Sequence, residues 1–205
     1  MTSLLKGKKF LMILSAFALS VVLIFIFLIK PEENKYEIRN VDFTKNVLMN
    51  SQFEEISISP WEVDFSQKNQ SYAYLDDIVK FKGKNSLCLL SESKNNLISV
   101  SQTISNVQRN KKYILNGYLK TEDFVTGFLK LELYGASDSL IAFSDSYKLK
   151  GMNDWTFLTT WVRTMDTKIT KIKVKLVLEG NGRVWFDELE LFPVEINTIF
   201  LTPSN

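Results

Sequence analysis

The chain has no histidine and a single cysteine, Cys88, in 205 residues. Without histidine there is no Ser–His–Asp or Cys–His nucleophile, no imidazole general base and no histidine-ligated metal. One cysteine excludes an intrachain disulfide and a thiolate zinc site. Cys88 itself lies in the apolar run Ser86-Leu87-Cys88-Leu89-Leu90 and reads as a small buried hydrophobe rather than a nucleophile. Proline (4) and glycine (8) are too scarce for a low-complexity or collagen-like chain. No phosphate-binding Gly-rich loop, dinucleotide fingerprint or nucleophile elbow occurs. Acid pairs such as Asp76/Asp77 and Glu188/Glu190 have no catalytic setting, so the chain does not read as an enzyme.

What is present begins with one long apolar run. Residues 10–29 (FLMILSAFALSVVLIFIFLI) carry no charge, and Ser15 and Ser20 are their only polar side chains. As a helix, twenty residues rise about 30 Å, the thickness of a bilayer core. A cleaved signal peptide has a shorter apolar stretch ending at small residues. Ala16-Phe17-Ala18 resembles such an end, yet the apolar run continues past it. The run is therefore expected to be a single-pass signal-anchor helix. Lys6, Lys8 and Lys9 precede it and only Lys30 follows closely. The positive-inside bias then places residues 1–9 in the cytoplasm and the rest of the chain outside, at the cell membrane.

The net charge of +2 depends on this end of the molecule. Residues 1–30 hold four lysines and no acid, so the remainder carries −2. An extracytoplasmic part near neutrality is not a nucleic-acid binder.

Residues 30–46 are polar, contain Pro31 and show no period, as expected of a stalk. From 47 to 193 the hydrophobic period is two. Leu129, Leu131 and Leu133 alternate with Lys130 and Glu132; Ile172, Val174, Leu176 and Leu178 alternate with Lys171, Lys173, Lys175 and Val177. Further strands are expected at 61–65, 71–76, 86–91, 98–104, 112–120, 140–143, 155–164 and 184–192. Turns are expected at Lys82-Gly83-Lys84-Asn85, Lys94-Asn95-Asn96, Gly151-Met152-Asn153-Asp154 and Gly180-Asn181-Gly182. About ten short strands with no helical stripe give an all-β fold class: a jelly-roll β-sandwich preceded by one transmembrane helix. Pro193 is expected to end the last strand, leaving 194–205 as a tail with apolar patches.

Several strings are then familiar as a set. Asn46-Val47-Leu48-Met49-Asn50-Ser51-Gln52-Phe53-Glu54 resembles the "N-L-x-x-N-x-x-F-E" opening of carbohydrate-binding modules of the xylanase and cellulase type. Gly83-Lys84-Asn85-Ser86-Leu87 resembles their "G-x-x-S-L" turn, and Val100-Ser101-Gln102-Thr103-Ile104 their "V-x-Q-x-I" strand. Tyr113-Ile114-Leu115-Asn116-Gly117-Tyr118-Leu119-Lys120 is similar to "Y-x-L-S-G-Y-x-K". Val184-Trp185-Phe186-Asp187-Glu188-Leu189 is similar to the closing "V-W-F-D-D-V", with Glu188 where the family often has a second Asp. The strings occur in the family's order across 46–193. The resemblance implies a galactose-binding-like jelly roll, and Trp61, Trp155 and Trp185 as packing aromatics. It also implies a structural Ca²⁺ tying first strand to last, held by Glu54, the Lys84–Asn85 backbone and Asp187; hard oxygens are what Ca²⁺ takes. Exposed loop acids, or pairing with Lys84, is the plainer reading of the same residues.

Sugar-binding jelly rolls stack pyranose rings on exposed aromatics. The candidates off the core faces are Trp161, Tyr118 and Tyr134, then Tyr72 and Tyr74. The ladder Lys171, Lys173 and Lys175 suits either an anionic polysaccharide or phospholipid headgroup, or a solvated face that resists edge pairing. Two functions remain open. One is a membrane-anchored, non-catalytic module that binds a polysaccharide or glycan. The other is an accessory subunit whose partner is a protein of a cell-envelope complex, with no sugar. An open groove lined by Trp161 and tyrosines favours the first; a self-filled face favours the second.

Overall fold

The computed structural model describes residues 46–196. They form one compact unit. The expected anchor at 10–29, almost all of the stalk and all but the start of the tail fall outside the described residues. Among the described residues helix is confined to the single 3-10 turns Lys68–Gln70 and Ala136–Asp138, and no helix is long and apolar enough to cross a membrane.

Nine strands form the domain: β1 (Glu62–Phe65), β2 (Ser71–Asp76), β3 (Ser86–Ser91), β4 (Leu97–Ile104), β5 (Lys111–Tyr134), β6 (Leu140–Asp145), β7 (Leu149–Lys150), β8 (Asn153–Arg163) and β9 (Lys171–Glu195). The strands expected at 71–76 and 86–91 stand where they were expected. The antiparallel pair β5–β9 runs the whole length of the domain, from Lys111 opposite Glu195 to Tyr134 opposite Lys171. Its two halves serve two sheets. The first sheet is ordered β1-β4-β9-β5-β6, using 172–179 of β9 and 127–134 of β5. The second is β2-β3-β9-β5-β8, using 182–194 of β9 and 112–121 of β5.

The alternation explains the layering. Ile98, Val100, Leu129, Leu131, Val174 and Leu176 of the first sheet join Leu87, Leu89, Leu115, Leu119, Val184 and Phe186 of the second in one buried core. At one rim Ser144 of β6 hydrogen-bonds Thr160 of β8 at 2.8 Å.

Gly180-Asn181-Gly182, expected as a turn, is instead the crossing point inside continuous β9. Gly182 has φ +136°, and a Cβ there would sit 2.3 Å from the Glu122 carbonyl oxygen. Only glycine lets the strand swing from one sheet to the other this close to its partner. β5 is continuous for the same reason, so 112–120 and the segment around Leu129 are one strand. Beyond Pro193, β9 continues to Glu195, paired with Lys111.

The family-like strings are mostly fastenings. Asn46 donates to the Leu189 carbonyl and accepts from the Leu191 amide, joining the opening to the closing strand. Gln102 exchanges two hydrogen bonds with the Met49 backbone. Trp61 is buried against Phe53 and donates to the Met49 and Asn50 carbonyls. Trp185 is also buried, but on the outer side of the second sheet, donating to Asp76 at 2.8 Å. Trp155 is only half-buried there and packs on Phe81, so it does not join the core as expected.

Candidate functional site

The two outer faces differ. On the second sheet, β2, β3, β9, β5 and β8 present Tyr72, Tyr74, Cys88, Trp185, Tyr118, Phe157 and Trp161 in register. The loop after β2 folds over the middle of this face. Asp76 Oδ1 caps that loop by accepting from the Ile78 and Val79 amides. Phe81 then lies flat on Tyr118, with ring centroids 3.8 Å apart and planes 14° from parallel. Tyr118 is thus half-buried under its own chain, with Phe157 edge-on at 5.3 Å. Trp161 stays 45% exposed, with Lys112 Nζ 4.5 Å and Arg163 Cζ 5.4 Å from its ring centroid. Tyr72 and Tyr74 lie partly exposed beyond the loop. The structure therefore groups Trp161, Tyr118, Tyr72 and Tyr74 on one face and leaves Tyr134 on the other.

On the first sheet an open groove of about 380 Å³ is lined by Thr103, Tyr134, Asp138, Lys171 and Lys173. The register explains the grouping: Thr103, Lys173, Glu132 and Phe143 lie side by side across β4, β9, β5 and β6. Glu132 is buried and its carboxylate is fully engaged. It accepts from the Tyr134 hydroxyl at 2.8 Å and pairs with Lys175 at 3.0 Å and Lys130 at 3.9 Å. Burial first, then this bond to Glu132, pushes the Tyr134 phenol up to about 12, so it remains a protonated donor. Lys171 bonds Asp138 at 2.7 Å, which holds that carboxyl below its ordinary range. Phe143 is 59% exposed, with Lys130 Nζ 4.4 Å from its ring centroid. The row offers a partly exposed ring, hydroxyls and charges along one open strip, which suits a polyhydroxylated ligand chemically. Sequence reasoning placed Tyr134 with Lys130 and Glu132 but missed Phe143 and Thr103. The period-two run at 140–143 marked a strand without saying which strand it would pair with.

The residues expected to hold calcium are engaged by backbone amides in this structure. Glu54 Oε1 accepts from the amides of Lys84 and Asn85 at 2.7 and 3.2 Å. In a trans peptide, an Asn85 N–H aimed at Glu54 turns the Lys84 carbonyl away from it. Gly83 packs so close that a Cβ would lie 2.3 Å from Glu54 Oε1. Asp187, on the closing strand, is fully buried and accepts from the Phe81, Lys82 and Glu188 amides at 2.9, 3.0 and 2.7 Å. The turn thus offers hydrogens where calcium needs oxygens. Among the described residues no group of three or more acids or cysteines is gathered as a metal site. Amide-to-carboxylate bonds link the opening, the turn and the closing strand.

No family model matches the chain, and no curated protein matches it by sequence. Solved structures do match by shape. A family 61 carbohydrate-binding module, TmCBM61, in complex with β-1,4-galactotriose superposes with TM-score 0.54 at 16% identity, covering 73% of this chain and 99% of that one. The CBM22-1 xylan-binding domain of Paenibacillus barcinonensis Xyn10C gives TM-score 0.55 at 15% identity, covering 71% and 92%. The domain shares the fold of these modules. The enzymatically active domain of bacteriophage CBA120 tailspike protein 4 gives TM-score 0.61 at 14% identity; the match covers 73% of this chain and 21% of the tailspike chain. The same sandwich thus occurs in binding modules and within a larger enzyme, so shape alone does not assign activity.

Proposed function

We propose that this protein is a membrane-anchored, extracytoplasmic, non-catalytic carbohydrate-binding protein whose site is the groove on the first sheet. The observation that carries the reading is the open strip from Thr103 to Phe143, with an exposed ring at one end and the Lys173 ammonium and Thr103 hydroxyl at the other. One pyranose of a saccharide stacks its CH face on Phe143, while hydroxyls of further sugars along the strip meet Thr103, Lys173 and the Tyr134 hydroxyl oxygen. The sugar-binding neighbours in shape support the reading, and the apolar run at 10–29 supports the anchor. Catalysis is not part of it. Hydrolysis needs one carboxyl held protonated beside another. Asp138 in the groove is shifted the opposite way by Lys171. The carboxyl pushed upward among the described residues is Asp187, buried on the other sheet.

A second reading rests on a separate observation. The Trp161 face is filled by Phe81 in its middle and exposes Trp161 and Phe157 at its edge, as a protein contact would. The deciding experiment is depletion of the full-length chain from detergent solution by a panel of insoluble polysaccharides. Saturable depletion by any of them, lost in Tyr134→Ala, supports the groove. Binding to none by a folded protein overturns it in favour of the protein-contact reading.

A further inference from the structure

The lysine ladder on the first sheet is unevenly neutralised. Lys171 is held by Asp138, Lys175 by Glu132, and Lys130 lies within 3.9 Å of Glu132 and 3.5 Å of Asp145. Lys173, between 171 and 175 on the same face of β9, makes no direct salt bridge among the described residues; the nearest carboxyl in the groove, Asp138, is bonded to Lys171 and feels Lys173 only through its charge. Its neighbour across the ladder, Glu132, does not neutralise it, because Tyr134 and Lys175 already occupy both oxygens. Its neighbour on the other side, Thr103, is exposed and its hydroxyl bonds nothing among the described residues. Both side chains line the groove. An ammonium with no direct ion pair beside a hydroxyl with no hydrogen bond, in a groove roomy enough for a sugar ring, can receive one carboxylate. No guanidinium fork, the usual bidentate partner of a phosphate or sulfate, lines this groove.

We propose that the groove takes an acidic polysaccharide, with a hexuronic acid carboxylate bound between Lys173 and Thr103 and a further sugar of the same chain stacked on Phe143. The proposal rests on the saccharide reading of the groove and narrows its ligand to the carboxylated class. Adjacent strands lie about 4.8 Å apart, so Thr103 and Phe143 stand about 14 Å apart, more than a single sugar ring spans. The two ends of the row therefore address different residues of one polymer.

The test titrates the full-length chain in detergent with polygalacturonate, with a neutral galactan and with a neutral xylan, alongside Lys173→Gln and Lys173→Arg. Polygalacturonate is expected to bind most tightly. Lys173→Gln is expected to weaken it about tenfold, the worth of one charge-assisted hydrogen bond, while neutral polymers change little. Lys173→Arg is expected to keep most of the affinity. Lys173 is half-buried and makes no hydrogen bond or ion pair among the described residues, so the variants are expected to remain comparable in circular dichroism, which is checked first. Equal affinity for neutral and acidic polymers, or an unchanged Lys173→Gln, overturns the acidic ligand and leaves the saccharide groove standing. Binding to no polysaccharide overturns both. Lys173-dependent binding to anionic phospholipid vesicles in place of polysaccharide also overturns the proposal.

Discussion

Phe81 covers Tyr118 face to face at 3.8 Å, so the tyrosine that sequence patterning offers as a sugar platform is occupied by its own chain. The contact pins the loop between β2 and β3 on the second sheet and leaves the first sheet as the open one. Phe81→Ala removes the cover. It is expected to cost about 1–2 kcal/mol, the sum of stacking and of burying a partly exposed ring. Glycan affinity is expected to stay unchanged. Urea denaturation gives the first quantity and titration the second; a loss of binding in Phe81→Ala would return the site to the second sheet.

Calcium is expected to leave stability unchanged. If a site of millimolar affinity existed, 10 mM calcium would add about 1.4 kcal/mol, or roughly 4 °C in Tm for a domain of this size. The amide hydrogens of Lys84 and Asn85 occupy Glu54 instead. Thermal melts in calcium and in chelator should therefore coincide. A rise of several degrees in calcium, lost in Asp187→Ala, would show that the turn reverses its peptides around an ion.

Two acids act on acid stability with opposite sign. The Lys84 amide foremost, then the Asn85 amide and nearby lysines, outweigh burial and hold Glu54 below its ordinary 4.5. The stability from Glu54 is thus present above 4.5 and is lost as pH falls through its lowered folded value. Burial pushes Asp187 above its ordinary 3.8, against the pull of three amide hydrogens. Its contribution runs the other way, complete below 3.8 and lost as pH rises through its raised value. In Glu54→Gln the acid-induced fall in Tm is expected to shrink, and in Asp187→Asn to steepen. Parallel pH profiles for wild type and Glu54→Gln would contradict the clamp.

Gly182→Ala tests the crossing point of β9. A methyl group 2.3 Å from the Glu122 oxygen, at φ +136°, forces the two long strands apart. The expected loss is more than about 2 kcal/mol in urea denaturation. Gly151→Ala, where the space is open but φ is +72°, is expected to cost about 1 kcal/mol. Equal, small losses would mean that β9 does not need its glycine to change sheets.

Much of the fold was legible because period two is a direct record of which side chains are buried. Ile98 and Val100, Leu129 and Leu131, Val174 and Leu176 alternate with polar neighbours and meet in the core. The continuity of β9 was not legible. A Gly-Asn-Gly string signals a turn locally, and only its closely approaching partner strand makes it a bend within a ladder. For the site, alternation separates inner from outer residues but does not say which outer face stays open. That depends on where the loop carrying Phe81 comes to rest, a tertiary matter with no local period. Tyr134 was therefore found together with Trp161, Tyr118, Tyr72 and Tyr74, although they lie on opposite sides of the sandwich. Phe143 was missed because its meaning depends on pairing with Glu132 across two strands.

Saccharide titration of the full-length chain carrying Phe143→Ala, against the same chain carrying Trp161→Ala, tests the central claim most directly. Both rings are exposed, so neither truncation empties the core. The expected result is an affinity reduced about tenfold or more in Phe143→Ala and unaltered in Trp161→Ala, since aromatic stacking of this kind contributes on the order of 1 kcal/mol or more. The reverse pattern, with binding lost in Trp161→Ala and kept in Phe143→Ala, would contradict the groove on the first sheet.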